Sequence, residues 1–362
     1  MSAEPQATGT AEPQATGSAE PQAMGAAEPQ ATGTAEPPVT DATAPADRVT
    51  MRFLALPHDA AAGGLTVAAG SVMEWIDQAG YACAVGWSGR YCVTAYVGNV
   101  QHTRPIAPGS LVAVHARVVH TGRSSVHVAV TVEAADIRSR RYEPATTCML
   151  VFVAVDDERR PAPVPEWTPH TDADRALGEI ATSRIAARDT IKKAMLGQVY
   201  TDDTAAPRSQ LRFLAPPSAV KFGGAAHGGT VMGWIDEAAF ACAAAWSTDQ
   251  AVAVYSGGIH FLAPVRIGHL VELDARLIYT GPRSMHIVVR VLSADPRTPA
   301  EKTLTTQCIM VFVDPGPDGR ARPVPRWEPE LAEDVRLVRH AVELIHERER
   351  IVPIPAELTL QD

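Results

Sequence analysis

Apolar residues recur at intervals of three and four through Val72, Trp75, Ile76, Ala79 and Cys83, the period of a helix with one buried face. The same spacing returns at Val231, Trp234, Ile235, Ala238 and Cys242. Around these positions both segments are filled with Ala, Gly and Cys, so little bulk projects from any side. Such a helix suits enclosure by a sheet. Each helix follows a short apolar strand, Met51 to Leu56 and Leu211 to Ala215, and a Gly/Ala-rich loop. Downstream the pattern predicts four long strands in each copy, near 92–102, 110–121, 125–136 and 145–155, then 251–262, 269–280, 284–294 and 304–314. Thr121-Gly122-Arg123-Ser124 and Thr280-Gly281-Pro282-Arg283 carry tight-turn chemistry between the second and third strands of each set. A further helical stretch follows each copy. Leu177, Ile180, Ile185 and Ile191 mark the one over 174–196, and Val335, Val338, Val342 and Ile345 the one over 331–347. The first joins the copies and the second is expected to be its mate on the sheet's outer face.

These elements are written twice. Phe53 to Trp87 returns as Phe213 to Trp246, Cys148 to Val153 as Cys308 to Val313, and Pro163-Val164-Pro165 as Pro323-Val324-Pro325, at an offset of 159 or 160. One repeat at this period is a domain and not a solenoid unit. The expected class is α+β, with one helix and five antiparallel strands per copy. The expected boundaries are a tail at 1–49, domains at 50–170 and 209–330, a helical linker at 171–208 and a C-terminal helix and tail at 331–362. Two copies in one chain can form a pseudo-symmetric dimer with sites between them.

The tail is set apart by composition. Ala3-Glu4-Pro5-Gln6-Ala7-Thr8-Gly9-Thr10 recurs in near copies from Ala11, Ala19, Ala27 and Ala35, with almost nothing apolar to bury, and is expected to be disordered. Five Glu, Asp41 and Asp47 against Arg48 place six of the nine net negative charges there. The remainder, at about −3, offers no electrostatic footprint for nucleic acid or a membrane surface. No basic leader, Arg-rich transit segment or 20-residue apolar run is present, and the expectation is a cytoplasmic protein. Cys83 and Cys148 match Cys242 and Cys308 in apolar contexts, Cys92 stands alone, and no CxxC occurs; buried thiols are expected. His127 and His286 are repeat-equivalent but lack a companion at ligand spacing, so structural roles are expected and no metal. No GxSxG elbow exists, and Gly223-Gly224 to Gly229 does not sit in a βαβ unit, so neither serine-hydrolase nor nucleotide-loop chemistry has an anchor.

The sharpest local signal is Ala226-His227-Gly228-Gly229-Thr230-Val231-Met232-Gly233-Trp234-Ile235-Asp236. A Gly pair at a helix start leaves backbone N–H groups open to close approach at the positive end of the helix dipole, which suits a developing oxyanion. Asp236 follows Gly229 by seven residues, as Asp77 follows Gly70. Seven residues span two turns, so the amides and the carboxylate of one helix stand about 10 Å apart. If the two helices lie antiparallel, the amides of one meet the carboxylate of the other. Two unequal sites follow: Asp77 with His227-Gly228-Gly229, and Asp236 with Ala68-Ala69-Gly70. The first keeps both Gly and the His and is favoured. The plain alternative is that Gly at a helix start is common and an Asp within a helix is merely solvated or paired.

Taken together, the loop-HGG-helix-Asp pattern, the strand ending F-L-x-P, the TGxxS turn and the closing PVP resemble the tandem hotdog acyl-CoA thioesterases of the cytosolic long-chain acyl-CoA hydrolase type. The resemblance covers about residues 50–330 and is closer in the second copy. It implies two hotdog domains, each a long helix wrapped by a curved antiparallel sheet, forming one pseudo-dimer that cleaves acyl-CoA to free acid and CoA without metal or cofactor. It also implies a homo-oligomer, a trimer of double-hotdog units. Carried onto this chain, Asp77 or Asp236 would be general base or nucleophile, and the Gly228 and Gly229 amides would hold the thioester oxygen. Arg123, Ser124, Arg283 and Ser284 would contact CoA. Where the family loop carries an Asn before HGG, this chain has Lys221 in the second copy and Ala62 in the first. That departure keeps two other functions in view, a catalytically degenerate hotdog protein that binds acyl-CoA or acts as a scaffold, and an enoyl-thioester hydratase.

Overall fold

The structure, a computed structural model, describes residues 46–220 and 224–360. The repetitive tail up to residue 45, Lys221, and the last two residues lie outside the described residues. The first half contains β1 (Arg48–Leu54), α1 (Ala69–Ser88), β2 (Cys92–His102), β3 (Leu111–Thr121), β4 (Ser125–Ala135) and β5 (Glu143–Ala154). The linker helix α2 (Asp172–Leu196) leads to β6 (Arg208–Leu214), α3 (Gly228–Trp246), β7 (Val252–Phe261), β8 (Leu270–Thr280), β9 (Met285–Ala294) and β10 (Thr303–Val313). The chain closes with α4 (Ala332–Glu349) and the short α5 (Ala356–Leu360). This is the α+β fold expected, with one wrapped helix and five antiparallel strands in each half.

Both edge strands begin three residues earlier than the apolar pattern suggests. Arg48 pairs with Arg117 and Arg208 with Arg276 across β1–β3 and β6–β8. Polar side chains at a sheet edge hide a strand from a hydrophobicity count. Asp47 belongs to this edge too, since its carbonyl accepts from the Val118 N–H at 2.8 Å.

All ten strands form one sheet, in the order β1-β3-β4-β5-β2-β7-β10-β9-β8-β6. The order reads the same from either end with the halves exchanged, which is the signature of a pseudo-dyad. The halves meet where β2 pairs with β7, with Tyr96 opposite His260 and Gln101 opposite Tyr255. On the concave side α1 and α3 share a single core with the sheet, through Val72, Met73, Ile76, Val231, Met232 and Ile235. Small residues are needed where helix and sheet close. A Cβ on Gly80 would sit 3.0 Å from the Phe152 ring.

The outer face is covered by α2 and α4. Leu177 and Ala181 pack on Val119, Ala129 and Met149, while Ile191 and Met195 reach across to the second half, alongside Leu337, Ala341 and Leu344 of α4. Buried arginines anchor both helices to the sheet. Arg117 binds Asp174, and Arg276 reaches Asp274 at 2.9 Å and Glu333 at 3.2 Å. After α4 the chain returns over the first half, where the Leu358 carbonyl accepts from Arg117 at 2.8 Å. All five cysteines are buried and free.

Candidate active site

Helices α1 and α3 cross so that each start faces the other's middle. The Gly229 N–H donates to Asp77 Oδ2 at 2.8 Å, and the Gly70 N–H donates to Asp236 Oδ2 at 2.8 Å. This is the exchange that the seven-residue spacing requires, and it occurs at both ends of the pseudo-dyad. Close approach depends on the glycines. A Cβ on Gly228 would lie 3.0 Å from Thr94 Oγ1 and 3.1 Å from Asp77 Oδ2, and one on Gly229 only 2.9 Å from Glu74 Cα.

The two ends differ in what surrounds the carboxylate. At the Asp77 end the Thr94 hydroxyl donates to Asp77 Oδ1 at 2.7 Å, and His227 Nδ1 stands 2.8 Å from Oδ2. His227 is the N-cap of α3, and its Nδ1 is also 3.0 Å from the Gly229 nitrogen. The Gly229 N–H is thus shared between Asp77 Oδ2 and His227 Nδ1, both of which accept from it. The Asp77 side chain is fully buried, and these donors replace the water it has lost. Thr94 and His227 are only partly buried and form the solvent-facing side of the site.

At the other end Asp236 receives the Gly70 amide, but Ala68 stands where the first site has His227 and Ala253 where it has Thr94. Burial pushes the Asp236 carboxyl up to about 6, with the Gly70 amide opposing and Glu237 adding to the rise. The contrast extends outward. Glu74, Tyr81 and Tyr91 of the first site correspond to Gly233, Phe240 and Gln250 of the second. Tyr81 lies edge-on to both His227 and Tyr91, with ring centroids 6.4 and 6.2 Å apart. Burial, followed by Tyr91, Cys92 and Asp77, raises its phenol to about 12.

The structure therefore brings Asp77, His227, Gly228 and Gly229 together and sets Asp236 apart with Gly70. It assigns the two amides differently from the expectation that both face a thioester oxygen. The Gly229 N–H is taken up by Asp77 and His227, which leaves the Gly228 N–H as the remaining donor of the pair. Arg123 and Arg283 lie exposed on the β3–β4 and β8–β9 turns, and Ser284 Oγ is 3.3 Å from His286 Nε2. The first of these turns is on the Thr94 end of the sheet, because Ser125 pairs with Val153 beside the Phe152–Thr94 pair. Ala62 is exposed in the loop before α1. His127 and His286 are buried against His120 and Tyr279, and no group of three metal-ligating side chains occurs among the described residues. No helix among them is long and apolar enough to cross a membrane. Thr94 is the residue that sequence reasoning missed. Its signal was available in the repeat, where a polar residue in one copy answers an alanine in the other.

A helix wrapped by an antiparallel sheet, doubled about a pseudo-dyad with a carboxylate of each half at the other's helix start, defines a tandem hotdog protein of the thioesterase class. The chain belongs to the Thioesterase superfamily, whose family model matches residues 66–140 and 223–300, once in each half. It is 31% identical over 125 residues to the acyl-CoA thioester hydrolase YciA of Salmonella typhimurium, covering 33% of this chain and 92% of that protein. It is 24% identical over 298 residues to the human cytosolic acyl coenzyme A thioester hydrolase, covering 77% of each. A Lactobacillus plantarum structure assigned as an oleoyl thioesterase superposes on 78% of this chain and 98% of its own with a TM-score of 0.52. At 9% identity that likeness concerns the fold alone.

Proposed function

We infer that this chain hydrolyses acyl-CoA thioesters to free acid and CoA, with the chemistry at the Asp77 end of the crossed helices. The observation that carries this reading is the convergence of Thr94, His227 and Gly229 on one buried carboxylate at a helix start. Asp77 activates water or attacks the thioester carbonyl directly, and Thr94 and the Gly229 amide hold it in position. The developing oxyanion is received by the Gly228 N–H at the positive end of α3. His227 caps α3 beside Asp77 and borders the site on its solvent-facing side. No step calls for a metal or cofactor.

The site lies between two hotdog domains, taken as 50–170 and 209–330. The turns carrying Arg123, Ser124, Arg283 and Ser284 supply contacts to CoA, whose phosphates suit exposed guanidinium groups. The protein acts in the cytoplasm as a homo-oligomer, a trimer of double-hotdog units. The exposed, repeat-equivalent Leu54 and Leu214 on the two edge strands support association.

The test is CoA release, followed with a thiol reagent, from acyl-CoAs of graded chain length. Turnover that survives Asp77→Asn would remove this mechanism. Light scattering would check the oligomer.

A further inference from the structure

On the sheet's outer face, at the seam between the halves, lies a group of side chains that thioester hydrolysis does not use. Arg184 and Arg188, one turn apart on α2, line a pocket together with Tyr96, Asn99, His127 and Ile351. The pocket is partly open to solvent and has room for a small ion beside the guanidinium groups.

The polar groups around it are set to donate. Arg184 has no carboxylate within ion-pair distance among the described residues. Its hydrogen bonds go to the Val352 carbonyl, at 2.9 Å from Nε. Arg188 reaches only its neighbour Asp189, at 3.5 Å, and that side chain is 55% exposed, so water screens the pair. Asn99 Oδ1 is already occupied by the Tyr255 hydroxyl at 2.5 Å, which leaves its NH₂ group unassigned. Burial lowers the Arg184 pKa, and the groups that act on it in return are Tyr96, Cys148 and Tyr255, none of them a carboxylate. Both arginines are partly buried, and two guanidinium groups one helical turn apart with no carboxylate shared between them repel unless an anion joins them.

The second half shows what the first has added. Arg348 stands over Tyr255 at 4.3 Å as Arg188 stands over Tyr96 at 5.7 Å. Leu344, however, occupies the position equivalent to Arg184, and Gly258 that of Asn99. Gly258 has φ 61 and Asn99 φ 27, both in the left-handed region, where a side chain is a conformational cost. The first half accepts that cost and gains two donors beside the cavity.

We propose that this cavity binds a small monovalent inorganic anion of chloride size, held by Arg184, Arg188 and the Asn99 amide, which ties the linker helix to the seam.

Thermal unfolding of the full chain is measured in sodium chloride, sodium gluconate and sodium sulfate at equal ionic strength, and crystals are soaked in bromide for anomalous diffraction. Chloride raises Tm saturably, by about 2–4 °C when the anion is tenfold above its Kd, and bromide gives an anomalous peak in the cavity. Arg184→Leu, which installs the residue found at the equivalent place in the second half, abolishes the chloride response. Arg188→Gln weakens it, and serves alone if the first variant does not fold. A chloride response that both variants share with wild type, a bromide peak missing from the cavity, or an equal saturable response to sulfate would each overturn the proposal.

Discussion

Replacing Asp77 by Asn removes a charge and a basic atom while keeping the side chain's shape. The Asn oxygen still accepts from Thr94 or the Gly229 amide, so packing between α1 and α3 is preserved and Tm is expected to stay within a few degrees. Losing a positioned general base typically costs about 10²–10⁴ in rate, or roughly 3–5 kcal/mol of transition-state stabilisation. Asp236→Asn is the internal control. If the two ends were equal and independent, each would supply half of the turnover, and no single variant could lose more than about twofold. The contacts are not equal. Asp77 has Thr94 and His227 beside it, and Asp236 has alanines in their places. Steady-state CoA release on the best acyl-CoA of a chain-length panel should therefore fall at least 10²-fold for Asp77→Asn and less than twofold for Asp236→Asn. A twofold loss in each, with activity abolished only in the double variant, would refute the asymmetry. A large loss confined to Asp236→Asn would reverse it.

Thr94→Val removes a hydrogen bond to a charged group, worth about 1.5–3 kcal/mol, so kcat should drop roughly 10- to 150-fold with KM little changed in the same assay. Asp236 titrates near 6 in the folded chain against an ordinary 3.8, so the folded state holds its proton longer and wild-type stability falls as pH rises from about 4 to about 6. Asp236→Asn should remove roughly 3 kcal/mol of that fall, read by denaturant melts at pH 4 and pH 7, and an unchanged pH slope would count against the assignment. Gly229→Ala drives a Cβ to 2.9 Å from Glu74 Cα and should cost about 1–3 kcal/mol. Its neighbour Gly233 meets nothing within 4 Å, so Gly233→Ala should stabilise α3 by about 0.5–1 kcal/mol; chemical denaturation tells the two apart. In an Asp77→Asn background, Ala68→His with Ala69→Gly and Ala253→Thr rebuilds the missing groups around Asp236, and CoA release should recover at least tenfold. No recovery in a folded variant would mean that these groups do not suffice.

Helices, strands and the doubled architecture were legible because burial on one face imposes a period on the sequence, and two copies in register reinforce it. The crossed Asp–Gly contacts followed from helix rise alone. The β2–β7 seam did not, since alternation marks a strand's faces and leaves its neighbour unspecified. The early starts at Arg48 and Arg208 escaped because an edge strand tolerates polar residues on both faces. Thr94 escaped for a different reason. A single threonine in a β-branched run is what strand propensity alone would place there, and only the alanine at 253 sets it apart. The direction of one amide, Gly229 toward Asp77 and not toward substrate, depends on helix crossing at the level of an ångström, which no spacing rule reaches.

The retention of Asp at both ends has a structural cause that is independent of catalysis. Each carboxylate accepts a backbone N–H from the opposing helix start, Gly70 or Gly229, at a buried contact where water cannot serve. Losing either Asp would strand that donor, so the residue is held in place whether or not its site turns over. The caps themselves have the same backbone geometry, with Ala68 at φ −63, ψ 143 and His227 at φ −65, ψ 141. The fold is therefore not what separates the two ends. In a dimer of identical chains every side chain appears at both sites, and a substitution that spoils one spoils the other. Joining the halves lifts that constraint. His227, Thr94 and Tyr81 could be kept at one end while Ala68, Ala253 and Phe240 accumulated at the other, with Asp236 remaining as a helix cap.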